Sequence, residues 1–357
     1  MKRGIIEEDL EDIYSRNISW ERMENKTVLL TGAYGMLASY MMFMLMYLNE
    51  KKGMHIRIIA QVRSVEKFEK RFGDIAHYPY LKVCTDSLDE NLRIEEEIHY
   101  IIHAASLASP QYYSTCPIEV LKPNVIGTYH LLELAAEKKA EGFLLFSSSD
   151  IYGVVQGVDT IAETNYGSMD TLDIHNCYSE SKRMAETMCK AWYHQKGVPT
   201  KIARIWHTYA PTMDIENDPR VFASFAKNIV HNQDIVMKSD GSAKRSFCYI
   251  ADAIAGYFTV LLCGENGQAY NVCNSEAFCS IGELAETLTG IYPEKGLQVV
   301  RQERKKEDNY VENTVANYIP PDNSKLRSLG WYASYDIPTG FKRVIESICS
   351  NEDTQEK

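Results

Sequence analysis

The sequence predicts an α/β fold, a doubly wound parallel sheet with a smaller C-terminal α/β lobe. Three observations predict it. Short strand-like runs alternate with helix-length segments over residues 26–205, the pattern of a parallel sheet with crossover helices. A glycine-punctuated turn joins the first run to the first helix. Beyond that region the alternation loosens, as expected where a second, smaller unit begins.

The elements follow in order. KTVLL (26–30) is the first strand, and TGAYGMLASY turns into a methionine-rich helix. IRIIAQV (56–62), LKVCTD ending at Asp86 and HYIIHAAS ending at Ser106 are the next three strands. PIEVLKPNVIGTYHLLELAAEKK is one long helix from about Pro117, where proline is tolerated in the first turn. GFLLFSSS is the fifth strand, YSESKRMAETMCKAWYHQKG a helix stopped by Gly197, and TKIARIW the sixth strand. IVMK and QAYNVCN are expected as strands of the smaller lobe, with SIGELAETLTGIY and TGFKRVIESI as its helices. The predicted organisation is an N-terminal extension (1–25), a doubly wound α/β unit (26–205) to which a segment near 240–262 returns, a smaller lobe (206–239 and 263–350) and a frayed tail (351–357).

Composition narrows the function. Of 357 residues, 45% are apolar and 24% charged, ordinary for a globular protein. A formal net charge of -11 argues against a nucleic-acid or anionic-membrane partner, each of which needs a basic footprint. MLASYMMFMLMYL (36–48) is too short to span a bilayer and reads as a buried helix. The acids in MKRGIIEEDLEDIYSR argue against a secretory signal. Ile5, Ile6, Leu10, Ile13 and Tyr14 form one face of a docking helix instead. Nine cysteines with no CxxC pair fit reduced, cytoplasmic usage, with neither a disulfide framework nor a zinc site. His99 and His103 flank a strand-like run, and no metal is expected there.

Chemistry concentrates at two places. In TGAYGMLA, Gly32 permits a tight turn and Gly35 lets a pyrophosphate approach the backbone, with Ala38 where a third glycine often stands. The following helix supplies amide donors and a positive dipole end. Tyr34, Met36 and Leu37 belong to the same cradle. A carboxylate closing the second strand would bind the adenosine ribose of NAD. Here Ala60 stands in its place and Arg63 follows, so NADP is an alternative to NAD. Asp86 and Ser87 are placed to contact the adenine, and Ala104, Ala105 and Ser106 to line the cofactor. The second place is YSESK, where Tyr178 and Lys182 share a helix face. An ammonium beside a phenol favours phenolate, which can take a proton from a substrate hydroxyl while hydride leaves the same carbon. A serine from FSSSD completes the hydrogen bonding.

This combination resembles the extended short-chain dehydrogenase/reductase family, the nucleotide-sugar epimerases and dehydratases, over residues 26–348. The resemblance implies a Rossmann-like fold, Ser148 as catalytic hydroxyl, Tyr178 as base, Lys182 as its partner, and Arg245 in DGSAKRSFCYIADAIAGY at the substrate pyrophosphate. HAASLASPQYYSTCPIEVLKPNVIGT, CYSESKRMAETMC and ARIWHTYAPTMDIENDPRVFASF are most similar to the UDP-glucuronate decarboxylases of that family. These carry Ser-Glu after the catalytic hydroxyl, matched here by Ser149 and Asp150. Asp150 is thereby implied as the acid-base group near C5, with its bland alternative a turn cap. Ser149, His207, Arg220 and Val221 are implied substrate contacts. His207 replaces an asparagine, Thr212 an arginine and Asp150 a glutamate, the marks of a divergent branch whose substrate need not be UDP-glucuronate itself. The resemblance also implies a nucleotide-sugar substrate, supply of polysaccharide precursors, and a homodimer through a four-helix bundle. The alternatives are 4,6-dehydration, which the missing Asp-Glu pair disfavours, and 4-epimerisation. A non-catalytic sensor has no need of Ser148, Tyr178 and Lys182 together.

Overall fold

The computed structural model describes residues 4–302 and 319–355. Twelve strands are formed among them: β1 Thr27–Thr31, β2 Arg57–Gln61, β3 Leu81–Cys84, β4 Tyr100–His103, β5 Gly142–Ser148, β6 Thr200–Ile205, β7 His207–Tyr209, β8 Ile235–Met237, β9 Lys244–Tyr249, β10 Gln268–Val272, β11 Phe278–Ser280 and β12 Val299–Arg301. Seven of them make one sheet in the order β3-β2-β1-β4-β5-β6-β10. All six pairings are parallel. The chain starts at β1, winds outward to β3, then returns to lay β4 on the other side of β1. That reversal leaves a crevice at the carboxyl ends of β1 and β4, the ordinary ligand position in such sheets.

The strands are buried on both faces, as helices on either side of a parallel sheet require. Val28, Leu30, Ile58 and Ile102 pack into one apolar cluster, while Leu29, Ile59 and Ile101 pack into the other. The first cluster continues into a smaller lobe. There β7 and β9 pair in parallel, β11 joins β9 antiparallel, and β8 pairs with β12.

Three expectations are corrected. QAYNVCN is not a lobe strand. The fully buried helix Ile250–Cys263 crosses the main sheet and delivers β10 to the open edge of β6. There Asn271 is locked by the Tyr152 hydroxyl at 2.5 Å and by the carbonyls of Ile161 and Asp322. The segment near 240–262 is divided, because β9 belongs to the small sheet and only the helix lies on the large one. The long helix from Pro117 is interrupted: Pro117–Lys122 and Thr128–Glu137 are joined through a wide π turn at Pro123–Gly127. Proline has no N–H for the preceding turn, and the Asn124 side chain donates to the Val120 carbonyl there at 3.0 Å. The last helix, Ile337–Gln355, runs into the stretch expected to fray, whose final residues 356 and 357 lie outside the described residues.

The N-terminal segment does form a docking helix, Ile5–Ser15. Helix Ile250–Cys263 is apolar on nearly every side and needs a cover. Leu10 and Ile13 enter the main cluster, and Trp20 packs edge-on against Phe258 at 5.0 Å. Charges fix the docking. Fully buried Asp9 accepts from Arg343 at 2.8 Å and from the Tyr249 and Tyr40 hydroxyls at 2.8 and 3.2 Å. Arg16 reaches Asp252 at 2.8 Å.

Burial lifts the Asp9 carboxyl from 3.8 to about 6, against the opposing pull of Arg343 and the two phenols. A carboxyl that holds its proton more tightly when folded contributes stability below its unfolded pKa, and that stability is lost as pH rises through the folded value. The stability of wild type relative to Asp9→Asn is therefore expected to fall between about pH 4 and pH 7, by up to roughly 2–3 kcal/mol. Urea midpoints of both proteins across that range check this, and a pH-independent difference refutes it.

Candidate active site

The crevice is built on a backbone contact. Gly32 follows β1 with φ +64°, and a Cβ there would stand 2.8 Å from the Ala105 Cα. Only glycine meets both conditions. Gly35, solvent-exposed, precedes helix Met36–Lys52, whose first turn carries no acid. The Thr31 hydroxyl oxygen accepts from the Ala104 and Ala105 amides at 3.2 and 3.1 Å and lies 2.9 Å from His103 Nδ1. His103 Nε2 stands 3.0 Å from the Pro123 carbonyl, in the wide turn. A carbonyl can only accept, so Nε2 carries the proton, Nδ1 is the acceptor, and Thr31 donates to it. Burial, with the nearby Lys182 charge, pushes His103 down to about 3 and keeps it neutral.

The β5 end supplies the next wall. Ser148 is its last residue, and its hydroxyl bonds Tyr178 and accepts from the Asp150 amide at 3.1 Å. Tyr178 and Lys182 both lie on helix Cys177–Lys196, with Lys182 Nζ 5.7 Å from the tyrosine ring centre. Lys182 donates to the Phe146 carbonyl at 2.7 Å. The sequence leads one to expect a phenol pulled down by this lysine. Instead burial, with Asp150 adding to it, holds the Tyr178 phenol above its usual range, and only the Ser148 hydrogen bond opposes. Burial also pushes Lys182 down to about 7, with Glu186 resisting. A lysine so near neutrality carries less charge to stabilise a phenolate.

Asp150 lies open to solvent yet deep among protein atoms, as at the floor of a cleft. Crowding raises its carboxyl pKa, and the Arg245 guanidinium opposes. Its placement comes from a single 3-10 turn, Ser149–Tyr152, after the strand. Tyr113 stacks on Tyr178 with ring centres 5.0 Å apart and planes 8° apart. His207 opens β7 between Phe222 and Phe247, and its Nδ1 is buried without a hydrogen-bond partner. Burial and then the charges of Arg245 and Arg220 push it down to about 3. Arg220 is paired with Asp218 through two nitrogens, and Val221 begins the next helix with its side chain partly outward.

The remaining expected cofactor residues divide. Tyr34, Met36 and Leu37 are half-buried around the glycine turn, and Arg63 Nε lies 3.4 Å from the Tyr34 hydroxyl. Asp86 accepts the Arg93 amide at 2.8 Å and Ser87 the Asp89 amide at 3.1 Å, so both brace their own loop. The ribose-binding position is corrected: Ala60 is fully buried in the core, and Gln61 is the β2 residue whose side chain reaches the glycine turn. Strand alternation turns the two to opposite faces. Sequence reasoning does not single out Thr31, Tyr113, Glu186 or Arg204. Glu186 takes a bidentate contact from buried Arg204 at 2.7 and 3.0 Å and a hydrogen bond from Ser147 at 2.5 Å. Its only sequence signal is its place one turn beyond Lys182.

The residues present fit a bound dinucleotide. The glycine turn leaves its backbone bare, and the Ser106 and Ser109 hydroxyl oxygens beyond β4 are buried without partners. A glycine turn at a sheet's switch point, facing a serine-tipped strand and a tyrosine–lysine helix, defines a nucleotide-cofactor enzyme of the short-chain dehydrogenase/reductase type. A family model described as the NAD dependent epimerase/dehydratase family matches residues 28–273, and the chain belongs to that family. UDP-glucuronic acid decarboxylase 6 of Arabidopsis thaliana is 32% identical over 328 residues, which are 91% of this chain and 89% of the relative. UDP-glucuronic acid decarboxylase 1 of Xenopus tropicalis is 32% identical over 67% of this chain and 54% of its own length. Solved structures share the fold. UDP-glucose 4-epimerase of Thermotoga maritima, with UDP-glucose, superposes with TM-score 0.75 at 19% identity, over 91% of this chain and 99% of its own. UDP-glucuronic acid 4-epimerase of Bacillus cereus, with UDP-glucuronic acid and NAD, does so with TM-score 0.72 at 17% identity, over 91% and 99%.

Thr31→Val keeps the shape but removes one acceptor from two amides and one donor from His103. It is expected to destabilise the chain by about 2–4 kcal/mol, read from chemical denaturation. A change below about 0.5 kcal/mol would show that the hydroxyl does not hold the two strand ends together.

Proposed function

We propose that this chain decarboxylates a nucleotide-linked uronic acid resembling UDP-glucuronate, through oxidation and re-reduction at sugar C4. The observation that carries the reading is the convergence of Ser148, Tyr178 and Asp150 at the end of β5. Similarity to UDP-glucuronic acid decarboxylases over 91% of the chain supports it. A bound nicotinamide dinucleotide would supply reversible hydride transfer at C4, held by Gly32, Gly35, Met36 and Leu37 at its pyrophosphate, by Tyr34 toward its adenosine end and by Ala104, Ala105 and Ser106 along its length.

In this reading Tyr178 takes the C4 hydroxyl proton, and Ser148 orients that hydroxyl. The starting phenol is protonated, so Tyr178 must first yield its own proton, and Lys182 beneath it is poised near neutrality to exchange one. A ketone at C4 stands β to the C6 carboxylate and can accept the electrons released as carbon dioxide leaves. Asp150, its carboxyl raised toward neutrality, then delivers a proton at C5. Arg245, whose charge reaches Asp150, is the binder of the substrate's pyrophosphate, with Ser149, His207, Arg220 and Val221 as further substrate contacts. The dinucleotide ends each cycle in the state in which it began.

The reading also places the protein in the cytoplasm, supplying precursors for a polysaccharide. It includes a homodimer formed by a four-helix bundle. Ile118 is 62% exposed, Tyr129 41% and Met184 50%, all on helices of that proposed interface. No helix among the described residues is long and apolar enough to cross a membrane.

Mass spectrometry of products from UDP-glucuronate is expected to show loss of carbon dioxide to a UDP-pentose, whereas release of a UDP-4-keto-pentose would keep the decarboxylation and reject the re-reduction at C4. Tyr178→Phe should abolish the decarboxylation. Asp150→Asn should block product while still allowing some dinucleotide reduction on adding substrate. Loss of water from a nucleotide hexose, or C4 inversion, with UDP-glucuronate unchanged, would move the chain to dehydration or epimerisation. Light scattering at micromolar concentration should give the dimer mass, converted to monomer by Ile118→Glu with Met184→Glu. A monomeric wild type rejects the bundle.

A further inference from the structure

We propose that the dinucleotide this chain selects is the 2′-phosphorylated form, NADP(H), with Arg63 and Tyr34 receiving the 2′-phosphate. The inference rests on the dinucleotide reading above and names the chemistry at its adenosine end.

Selection against a 2′-phosphate ordinarily comes from a carboxylate at the end of the second strand. It accepts hydrogen bonds from the ribose hydroxyls and repels a phosphate. In this chain that position is Gln61, in register with Thr31 beside the glycine turn. Gln61 is 3% exposed, and its amide group is in use at both ends. Nε2 donates to the Asp86 carbonyl at 2.9 Å, and Oε1 lies 3.5 Å from the Gly32 amide. A carboxylate in this place would set one oxygen against the Asp86 carbonyl with no proton between them. The local structure therefore calls for the neutral amide, and the repulsive element is gone.

An attractive element stands beside it. The chain leaves β2 through Val62 and Arg63 to Ser64, whose hydroxyl caps helix Val65–Phe72. No acid lies between Gln61 and Val65, and the first one, Glu66, is on the helix surface. Arg63 is exposed, and its side-chain hydrogen bond among the described residues goes to Tyr34 and not to a carboxylate. Its Nε approaches the Tyr34 hydroxyl at 3.4 Å, which sets the guanidinium beside a phenol of the glycine turn. Asp86, two residues past the end of β3, accepts the Arg93 amide at 2.8 Å. A planar fork of donors beside a phenol and an uncharged amide suits a phosphate monoester better than a vicinal diol.

The test measures NADP+ and NAD+ binding to the full-length protein by calorimetry, and identifies by mass spectrometry any dinucleotide released on heat denaturation. NADP+ is expected to bind at least about tenfold more tightly than NAD+. Arg63→Ala should lower affinity for NADP+ by about tenfold to a hundredfold, far more than it changes affinity for NAD+. Arg63 is a surface side chain, so the variant is expected to keep its fold, which circular dichroism would verify. NAD+ bound more tightly than NADP+, or copurifying alone, overturns this inference and leaves the proposed function standing. Equal loss of both affinities in Arg63→Ala also overturns it, since the arginine would then serve the shared pyrophosphate. Binding of neither dinucleotide overturns the proposed function itself.

Discussion

The site depends on one close approach, the passage of the Gly32 turn against the backbone at Ala105. At 2.8 Å from the position of a Cβ there is no room for a side chain. Glycine permits the approach, and a separate tie holds the two strand ends at that spacing. Thr31 holds them, by accepting both amides that leave β4 while bonding His103. His103 in turn fixes the Pro123 carbonyl in the wide helical turn. One hydroxyl thus sets the spacing between the glycine turn, the strand beside it and the helix layer behind it. The network is neutral throughout, which matters because an imidazolium there would repel Lys182.

Behind the β5 end the solution is charged. Buried Arg204 pairs with largely buried Glu186, and such a pair gains little net stability over apolar packing, although breaking a fully buried one costs about 3–5 kcal/mol. Its value is positional. Glu186 ties Ser147 and thereby the strand that ends in Ser148, while Arg204 also reaches Tyr152 at 3.0 Å and the Glu163 carbonyl at 2.7 Å. The same carboxylate raises Lys182 against the burial that depresses it. Without that counter-charge the lysine would be neutral at a higher fraction and a poorer proton exchanger.

The sheet was legible in sequence because each central strand is a continuous apolar run, and the glycine turn because φ and close approach both demand glycine. Ser148, Tyr178 and Lys182 could be found because their spacing on one strand end and one helix face is local. The seventh strand was not legible. QAYNV carries no mark of which sheet it joins, a choice made by the buried helix before it. Gln61 and Ala60 could not be told apart without knowing which strand face meets the glycine turn, since a one-residue shift reverses it. Thr31, Glu186 and Tyr113 escaped for a different reason. Each acts through a partner distant in sequence, and a threonine, a glutamate or a tyrosine alone has many ordinary uses. The sign of the Tyr178 shift was missed because spacing reveals a neighbouring lysine but not the burial that outweighs it.

The placement of Asp150 shows how strand, turn and charge act together. Ser148 ends β5, and its hydroxyl caps the very turn that projects Asp150. The Asp150 backbone is thereby tied to the hydroxyl assigned to C4, which keeps the acid proposed for C5 on the same short turn. An aspartate is one methylene shorter than glutamate, and the tight 3-10 turn limits how far its carboxyl can travel. Asp150 also raises the Tyr178 phenol, which makes ionisation of both at once unfavourable. The proposed chemistry avoids that doubly ionised state, because Tyr178 acts as the base at C4 while Asp150 keeps its proton for C5.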